Sequence, residues 1–304
     1  MTTIIRPATE ADWFGAFIVF RLSLHRVLVS LDLETPEDKP TPDILAERFE
    51  RFRIYAEHLT QSADHFWVAE EAGEITGFSH SVLRDGVRQL SLFFVHPDKQ
   101  TQGIGKRLLD AAFPMDGADN RVILASPDAR ALNRYLKSGV RSRFTIYEWS
   151  RKPEIVPFET DLTIEPFTAT REILDTLNAI DRIILGYTRE VDHVWLSRIR
   201  HGHLYRRNGQ AVGYSYVSNR VGPIAMLNNA DFSVALAHVE SEMTKYVDDV
   251  FNEFNIGVPM SNTAAVEYAL KRGCHTNPFF EHFMSDKPLG QYENYVFMDP
   301  PYIT

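Results

Sequence analysis

The stretch VHPDKQTQGIGKRLLDAAF, residues 95–113, carries the most specific chemical pattern in the sequence. The run LSLFFV at residues 90–95 leads into it and predicts a strand that ends at Pro97. After the two glycines, apolar residues recur at helical spacing until Pro114, and this spacing predicts a helix. The stretch is therefore expected to form a strand, a loop and a helix.

The predicted loop lies at the start of that helix, where free backbone amides and the helix dipole favour an anion. Gly103 and Gly105 remove side chains that would block a phosphate. Lys106 and Arg107 place positive charge in the first turn, where acidic residues are normally preferred, and a bound anion would account for them. The alternative is a glycine turn followed by solvated basic residues, because short glycine patterns often occur by chance.

Two common nucleotide loops do not match, because the stretch has neither the GxGxxG spacing nor a Lys followed by Ser or Thr after its last glycine. The stretch instead resembles the acetyl-CoA loop of the GNAT superfamily of N-acetyltransferases, V-x-P-x-x-[QR]-x-x-G-x-[GA]. The matching residues are Val95, Pro97, Gln100, Gly103 and Gly105. The resemblance implies coenzyme A as the bound nucleotide and acetyl-CoA as the cofactor.

Length and composition predict an ordinary globular protein. A chain of 304 residues is long enough for two domains, and 44% hydrophobic residues can form their cores. Cys274 is the sole cysteine, which excludes an intramolecular disulfide and is typical of the reducing cytoplasm. We identify no signal sequence and no apolar run long enough to span a membrane. A net charge of -9 argues against nucleic acid as a partner.

The order of predicted elements supports the resemblance. Residues 4–152 are expected to form a strand, two helices, three strands, a helix, a strand, a helix and a strand, and this is the order of the GNAT fold. We predict an α/β (α+β) protein of two tandem GNAT-like domains, each a mixed, mostly antiparallel sheet flanked by helices. The predicted domains are residues 1–152 and 161–304, joined by a proline-containing linker at 153–160.

The second half of the chain repeats the first. Gly213 follows Gly77 by 136 residues, and Gly273 follows Gly139 by 134 residues. This nearly constant offset predicts a duplicated domain. The repeat fails after residue 227, where NNADFSVALAH replaces the glycine loop and its basic helix start. The second domain is therefore predicted to be a degenerate copy that cannot hold a pyrophosphate.

The resemblance also implies which residues contact the cofactor. In the GNAT fold the backbone of the strand before the loop holds the pantetheine arm and the thioester, and the loop holds the pyrophosphate. The strand residues are Phe93, Phe94 and Val95; the loop and helix residues are Gln100, Thr101, Gln102, Gly103, Ile104, Gly105 and Lys106. Asp128, Ala131 and Tyr135 belong to the segment DARALNRYLKSGV, which resembles the family's N-x-x-A-x-x-L-Y-x-x-x-G-F. Arg134 departs from this pattern, because the family has leucine there.

Acetyl transfer needs an acid for the departing thiolate and a base for the acceptor amine. Tyr135 occupies the position of the family's tyrosine and is the candidate acid; the alternative is that its ring only packs on the sheet. Gln89 stands where many relatives carry a glutamate, and an amide cannot accept a proton at neutral pH. His80 and His96 have suitable ordinary pKa values, although each is equally well explained as a structural histidine. The second domain has Ala269 in place of the tyrosine.

We therefore expect an acetyl-CoA-dependent N-acetyltransferase that acts on a small amine-bearing acceptor, with catalysis in the first domain. A non-catalytic acyl-CoA-binding or regulatory protein is the alternative. No metal site is predicted, because His201 and His203 have no third ligand at a suitable spacing. The sequence leaves open the acceptor, the general base and whether the chain forms a homodimer.

Overall fold

The computed structural model describes residues 2–100 and 103–304. The chain divides into two compact units. The first unit comprises Met1–Arg141 and Met284–Lys287, and the second comprises Ser142–Phe283 and Pro288–Thr304.

The first unit contains a mixed sheet with helices on both faces. Its elements are β1 (Ile4–Pro7), α1 (Trp13–Ser30), α2 (Pro42–Ser62), β2 (Ala63–Glu71), β3 (Glu74–Arg84), β4 (Val87–Val95), α3 (Ile104–Ala112), β5 (Asn120–Ala125) and α4 (Ala129–Ser138). The strands lie in the order β1-β2-β3-β4-β5. Neighbouring strands are antiparallel except β4 and β5, which are parallel. The predicted order of elements is confirmed here.

The helices α1 and α2 cover one face of this sheet. Trp13 of α1 packs against Phe52 of α2 and against Phe66 and Phe78 of the sheet. Residues 10–30 are long and apolar enough to cross a membrane by length and composition alone, although the sequence analysis found no such run. Several of their side chains, including Trp13 and Phe17, are buried in the unit's core. One apolar helix of this kind is only weak support for a membrane span.

The helices α3 and α4 cover the opposite face. Leu108 of α3 is fully buried, and its carbonyl accepts a hydrogen bond from Ser79 of β3 at 2.8 Å. The helix α4 has Asp128 as its N-cap and Gly139, at φ +111°, as its C-cap, and both residue types are typical of these positions. The helix α3 follows the glycine loop directly in the sequence, and α4 contains Tyr135.

The second unit repeats the element order of the first. Its elements are β6 (Arg141–Arg151), β7 (Thr163–Phe167), α5 (Arg171–Ile184), α6 (Glu190–Ile199), β8 (His201–Arg207), β9 (Gln210–Val217), β10 (Val221–Met226), α7 (Phe232–Met243), β11 (Phe254–Pro259), α8 (Thr263–Lys271), β12 (His275–Ser285) and β13 (Tyr295–Val296). From β7 to β12 the order matches β1 to β6, which agrees with a duplicated domain.

The compact units do not follow the predicted boundaries at residues 152 and 161. Residues 142–151 of β6 belong to the second unit, because they pair with β11 from Ile146, opposite Pro259, to Arg151, opposite Phe254. The first unit instead includes residues 284–287, where Asp286 accepts hydrogen bonds from Arg121 of β5. The sequence shows that β6 is a strand but not which strand it pairs with.

Candidate active site

Strand β4 separates from β5 part-way along its length. Parallel pairing runs from Val87, opposite Asn120, to Leu90, opposite Ile123. Among the described residues, none of β5 pairs with residues 91–95. The backbone groups of β4 that face β5 therefore have no strand partner over this stretch, and the two strands form an open gap.

A β-bulge lies where the gap begins. On the neighbouring strand β3, His80 faces Leu92 and the adjacent Ser81 faces Leu90, so Ser91 is the extra residue. A bulge bends the strand that contains it and increases its local twist. The bulge therefore accounts for the divergence of β4 from β5.

The side chains of the three predicted strand residues point to different faces. Phe93 packs edge-on against Tyr135, with ring centroids 6.1 Å apart. Phe94 packs on the other face against Phe20, at 4.8 Å. Val95 is buried under α3 in a cluster with Ile104. All three side chains thus belong to the core, so a ligand at the gap could contact these residues only through backbone groups.

Hydrogen bonds to the Val95 carbonyl fix the start of the loop after β4. The Val95 carbonyl accepts a hydrogen bond from Gln100 Nε2 at 3.1 Å and another from Ser23 Oγ at 3.1 Å. Gln100 thus ties the loop to the end of β4 through its side chain. The predicted cofactor residues Thr101 and Gln102 lie outside the described residues.

The first turn of α3 provides an open surface for an anion. Gly103 caps the helix at φ +78°, a conformation that favours glycine, and a Cβ atom there would meet no atom of a described residue within 4 Å. Ile104 anchors the turn, since its side chain is buried. The amides of Lys106 and Arg107 donate to the Gly103 carbonyl at 3.1 and 3.3 Å, whereas those of Ile104 and Gly105 have no carbonyl partner among the described residues. Gly103 and Gly105 therefore suit the phosphate role predicted for them.

The basic residues of the first turn have partners of their own. Lys106 Nζ lies 2.6 Å from Asp110 Oδ2, and both side chains are exposed. Arg107 Nη1 donates to the Thr3 carbonyl at 3.1 Å. These contacts explain both side chains without an anion, so their charge is weaker support for a phosphate site than the sequence suggested.

Tyr135 lies beside the gap. Its ring is buried in an apolar cluster with Leu90 and Ile123, the last pair that joins β4 to β5, and Phe93 packs against the same cluster. Its hydroxyl forms no hydrogen bond with a described residue. Burial raises the pKa of the phenol, although the charge of Arg134 opposes this in part. The hydroxyl therefore keeps its proton at neutral pH.

Asp128 and Ala131 occupy the first turn of α4. Asp128 Oδ1 accepts hydrogen bonds from the backbone amides of Arg130, at 2.8 Å, and Ala131, at 3.0 Å. Partial burial raises the pKa of Asp128, but these hydrogen bonds outweigh it and the net shift is downwards. Because its carboxylate caps the helix, the role of Asp128 is to stabilise the start of α4. Ala131 packs against the Tyr135 cluster.

His80 is a core residue. It is fully buried, and its Nε2 lies 3.0 Å from the Leu59 carbonyl, to which it donates as the neutral tautomer. Trp13 and Phe66 pack around its ring. Burial lowers the pKa of His80 to about 4. The side chain faces α1 and α2, so an acceptor would reach it only through the core.

Gln89 is buried in the paired part of β4, opposite Val82 of β3 and Val122 of β5. It lies one residue before the last β4–β5 pair, at the closed end of the gap. The structure therefore brings Tyr135 and Phe93 together at the gap, whereas the Gln89 side chain, next to Leu90 on β4, points to the opposite face of the sheet, on which His80 lies.

Arg134 is a residue of this region that the motif comparison marked only as a departure. A Cβ atom on Gly105 would lie 2.2 Å from Arg134 Nη1, so the guanidinium rests against the glycine backbone. Its Cζ also lies 5.9 Å from the centre of the Phe93 ring. The mismatch with the family's leucine was the only sequence signal for this contact.

The arrangement fits coenzyme A. The open space at Gly103 and the free amides of α3 can hold a pyrophosphate, and the unpaired β4 backbone can hold an extended amide-containing chain. Gly105 allows the Arg134 guanidinium to lie against the first turn of α3. The site thus offers hydrogen-bond donors both for the pyrophosphate and for the pantetheine arm of coenzyme A.

The corresponding gap of the second unit is filled by its own chain. Strand β13 pairs with β10, with Val296 opposite Ile224, and Phe297 bridges to Gly257 of β11. Asn262 Nδ2 donates to the Tyr295 carbonyl at 3.2 Å. The helix α7 begins at Phe232, after a short 3-10 turn capped by Asn228, rather than after a glycine loop. This copy has neither the open strand edge nor the phosphate turn.

Two histidines of the second unit lie close together. The rings of His203 and His238 are 4.7 Å apart, and His238 Nδ1 lies 2.9 Å from the Tyr205 hydroxyl. Across residues 2–100 and 103–304, no group of three or more His, Cys, Asp or Glu side chains could hold a metal ion.

Residues 36–142 match the family model of the acetyltransferase (GNAT) domain. The first unit contains a GNAT domain. The matched region includes the β4–β5 gap, the glycine loop and Tyr135. No protein with a curated description matches the sequence significantly.

Solved structures extend the likeness to the whole chain. A proposed acetyltransferase from Pyrococcus horikoshii superposes with a TM-score of 0.68 at 16% identity, covering 96% of this chain and 92% of that one. A GCN5-related N-acetyltransferase from Sphaerobacter thermophilus gives 0.59 at 15% identity, covering 94% and 96%. A tandem GNAT protein from the clavulanic acid biosynthesis pathway gives 0.57 at 11% identity, covering 94% and 99%. The chain therefore has the fold of a tandem GNAT protein.

Proposed function

We propose that the protein is an acetyl-CoA-dependent N-acetyltransferase that acts on a small amine-bearing acceptor, with catalysis in the GNAT domain. The observation that carries this proposal is the end of β4–β5 pairing at Leu90 and Ile123, beside the open first turn of α3. A backbone edge and a phosphate turn at one place suit a ligand with both an amide chain and a pyrophosphate. Acetyl-CoA supplies the thioester from which the acetyl group is transferred.

The residues proposed to hold the cofactor act mainly through their backbones. Phe93, Phe94 and Val95 would pair with the pantetheine arm, since their side chains are already packed in the core. The first-turn amides after Gly103 would hold the pyrophosphate. Gln100 would position this turn through its hydrogen bond to Val95.

Tyr135 is the proposed proton donor. The acceptor nitrogen forms a bond to the acyl carbon as the carbon–sulfur bond breaks, and the sulfur then needs a proton. The Tyr135 hydroxyl keeps its proton because burial raises its pKa, and it has no acceptor among the described residues. It lies beside Phe93, where the thioester end of the arm is expected.

The proton of the acceptor amine has no evident base in this region. Gln89 carries an amide, and His80 is buried on the other face of the sheet. These two residues favour a second candidate function, in which the GNAT domain binds acyl-CoA without transferring the acyl group. The two proposals differ in turnover and agree on binding.

A coenzyme A release assay separates the two functions. Acetyl-CoA and the protein are incubated with a panel of primary amines, amino acids and amino sugars, and free thiol is measured. Amine-dependent thiol release supports the transferase. Tight binding of acetyl-CoA with no release on any amine, at pH values from 7 to 9, would favour the binding protein.

We further propose a cytoplasmic location, for which the single cysteine, Cys274, is the support. The net charge of -9 supports the expectation that nucleic acid is not a partner. Whether the chain forms a homodimer is open, and light scattering of the purified protein would answer this.

A further inference from the structure

The cations around the phosphate turn differ in whether the protein itself neutralises them. Lys106 pairs with Asp110 at 2.6 Å, and Lys99 pairs with Glu71 at 2.6 Å. Arg107 is held by a backbone carbonyl. Each of these side chains has a contact that an incoming phosphate would have to replace or share.

Arg134 has no such partner. Within the described part of the chain it forms no hydrogen bond or ion pair; its guanidinium lies 5.9 Å from the centre of the Phe93 ring and close to the Gly105 backbone. The side chain is partly buried, so its charge is less screened than that of the exposed Lys106. A partly buried guanidinium without an acid beside it is an unsatisfied cation.

The position of this cation is determined by two elements. Arg134 extends from α4, one residue before Tyr135, and reaches the second residue of α3. There the helix dipole and the free amides also favour negative charge. A Cβ atom at position 105 would lie 2.2 Å from Nη1, so a larger residue there would displace the guanidinium from this place.

We propose that Arg134 binds the pyrophosphate of coenzyme A, and that the leucine-to-arginine departure from the family motif gives this chain a cation on α4 for its cofactor. This inference rests on the proposed function. Stacking on Phe93 holds the planar guanidinium in place, so that it can donate two parallel N–H bonds to phosphate oxygens. Arg134 would thereby link cofactor binding to the helix that carries Tyr135.

Calorimetric titrations of coenzyme A and 3′-dephospho-coenzyme A into the full chain test the proposal. Arg134→Met keeps an unbranched side chain over Phe93 but removes the charge. We expect both ligands to bind about 10- to 100-fold more weakly to this variant, as for loss of a charge-assisted hydrogen bond. Arg134→Lys should recover part of the loss, and the salt dependence of binding should be shallower for Arg134→Met than for the wild type.

Lys137→Met, at the exposed C-terminal end of the same helix, is the matched control and should bind like the wild type. Wild-type affinity in Arg134→Met would overturn the assignment. A loss confined to coenzyme A would also overturn it, because Arg134 would then contact the 3′-phosphate. Absence of binding by the wild type would instead contradict the proposed function itself.

Discussion

Tyr135 combines three properties at the scale of a single residue. It is buried beside the last β4–β5 pair, its hydroxyl has no described partner, and its raised pKa keeps it protonated. A hydroxyl without a partner among the described residues can donate its proton to a ligand. A ligand sulfur in the gap would satisfy it, which is why we assign Tyr135 to proton donation rather than to packing alone.

We predict that Tyr135→Phe lowers turnover about 100-fold, the lower end of what general acids contribute, because the thiolate loses its proton source. The affinity for acetyl-CoA should change little, since the ring remains. Steady-state thiol release and calorimetry measure the two effects. Tyr246→Phe in the second unit, whose ring stacks on His201, is the control. Unchanged turnover in Tyr135→Phe would remove Tyr135 from the mechanism.

Two glutamates of the second unit make its stability depend on pH. Glu148 lies on β6 and Glu281 on the neighbouring β12. Burial, together with the charge of Glu148, raises the pKa of Glu281 to about 8. Burial, together with the charge of Asp299, raises the pKa of Glu148 to about 7. The folded unit therefore binds more protons than the unfolded chain between the ordinary glutamate pKa and these values.

Because the folded-state pKa values are raised, stability should be highest near pH 5 and fall as the pH rises to about 8. Thermal unfolding followed by circular dichroism at pH 5, 6.5 and 8 measures this. Glu281→Gln should flatten the profile and raise the melting temperature at pH 8. Glu267→Gln, at an exposed position of α8, should leave it unchanged. A melting temperature that rises from pH 5 to pH 8 would contradict the assignment.

At the scale of elements, the two halves of the chain differ in what lies between equivalent strands. In the first unit β4 and β5 diverge and leave an open edge. In the second unit β13 lies between β10 and β11, and Gly222 must be glycine because its Cβ would meet the Phe297 carbonyl oxygen at 2.6 Å. The chain's own C-terminal segment thus takes the hydrogen bonds that a pantetheine arm would need.

We predict that Phe297→Ala destabilises the protein by about 3–5 kcal/mol, as for loss of a buried aromatic ring. Phe297 is buried and stacks on Tyr292 with centroids 5.6 Å apart. Acetyl-CoA affinity, measured at a temperature where the variant is folded, should stay at the wild-type value because the GNAT domain does not use this segment. Ile155→Ala, at a side chain 79% exposed, should change stability by less than about 0.5 kcal/mol. An acetyl-CoA affinity that falls together with the stability would contradict the expectation that the GNAT domain binds acetyl-CoA without this segment.

Much of the element order could be predicted because its signals are local. The capping box of Thr9 and Asp12 and the caps of α4 at Asp128 and Gly139 each depend on a few neighbouring residues of the types that favour these positions. The pairing of β6 with β11 could not be predicted, since periodicity identifies a strand but not its neighbour. Strand β13, at two residues, is too short to produce a periodic signal.

The candidate site could likewise be predicted from the sequence only where its signals are local. The glycine turn and Tyr135 follow from a motif, and both lie at the gap in the structure. The burial of His80 and the reach of Arg134 to Gly105 depend on packing between distant elements. Sequence spacing does not encode such contacts. From the sequence, His80 is therefore a candidate base, and Arg134 is only a departure from the motif.

At the scale of the whole molecule, the chain contains one fold twice and one candidate site. We infer that only the GNAT domain binds acetyl-CoA, because only there, within residues 2–100 and 103–304, do an open strand edge and a glycine turn coincide. The most direct measurement is a calorimetric titration of acetyl-CoA into the full chain. We predict one ligand per chain, and loss of binding in Gly103→Val, where φ is +78°. Gly209→Val, equally strained at φ +79° with no atom within 4 Å of its Cβ, should bind normally. Two ligands per chain, or unchanged binding in Gly103→Val, would contradict the account.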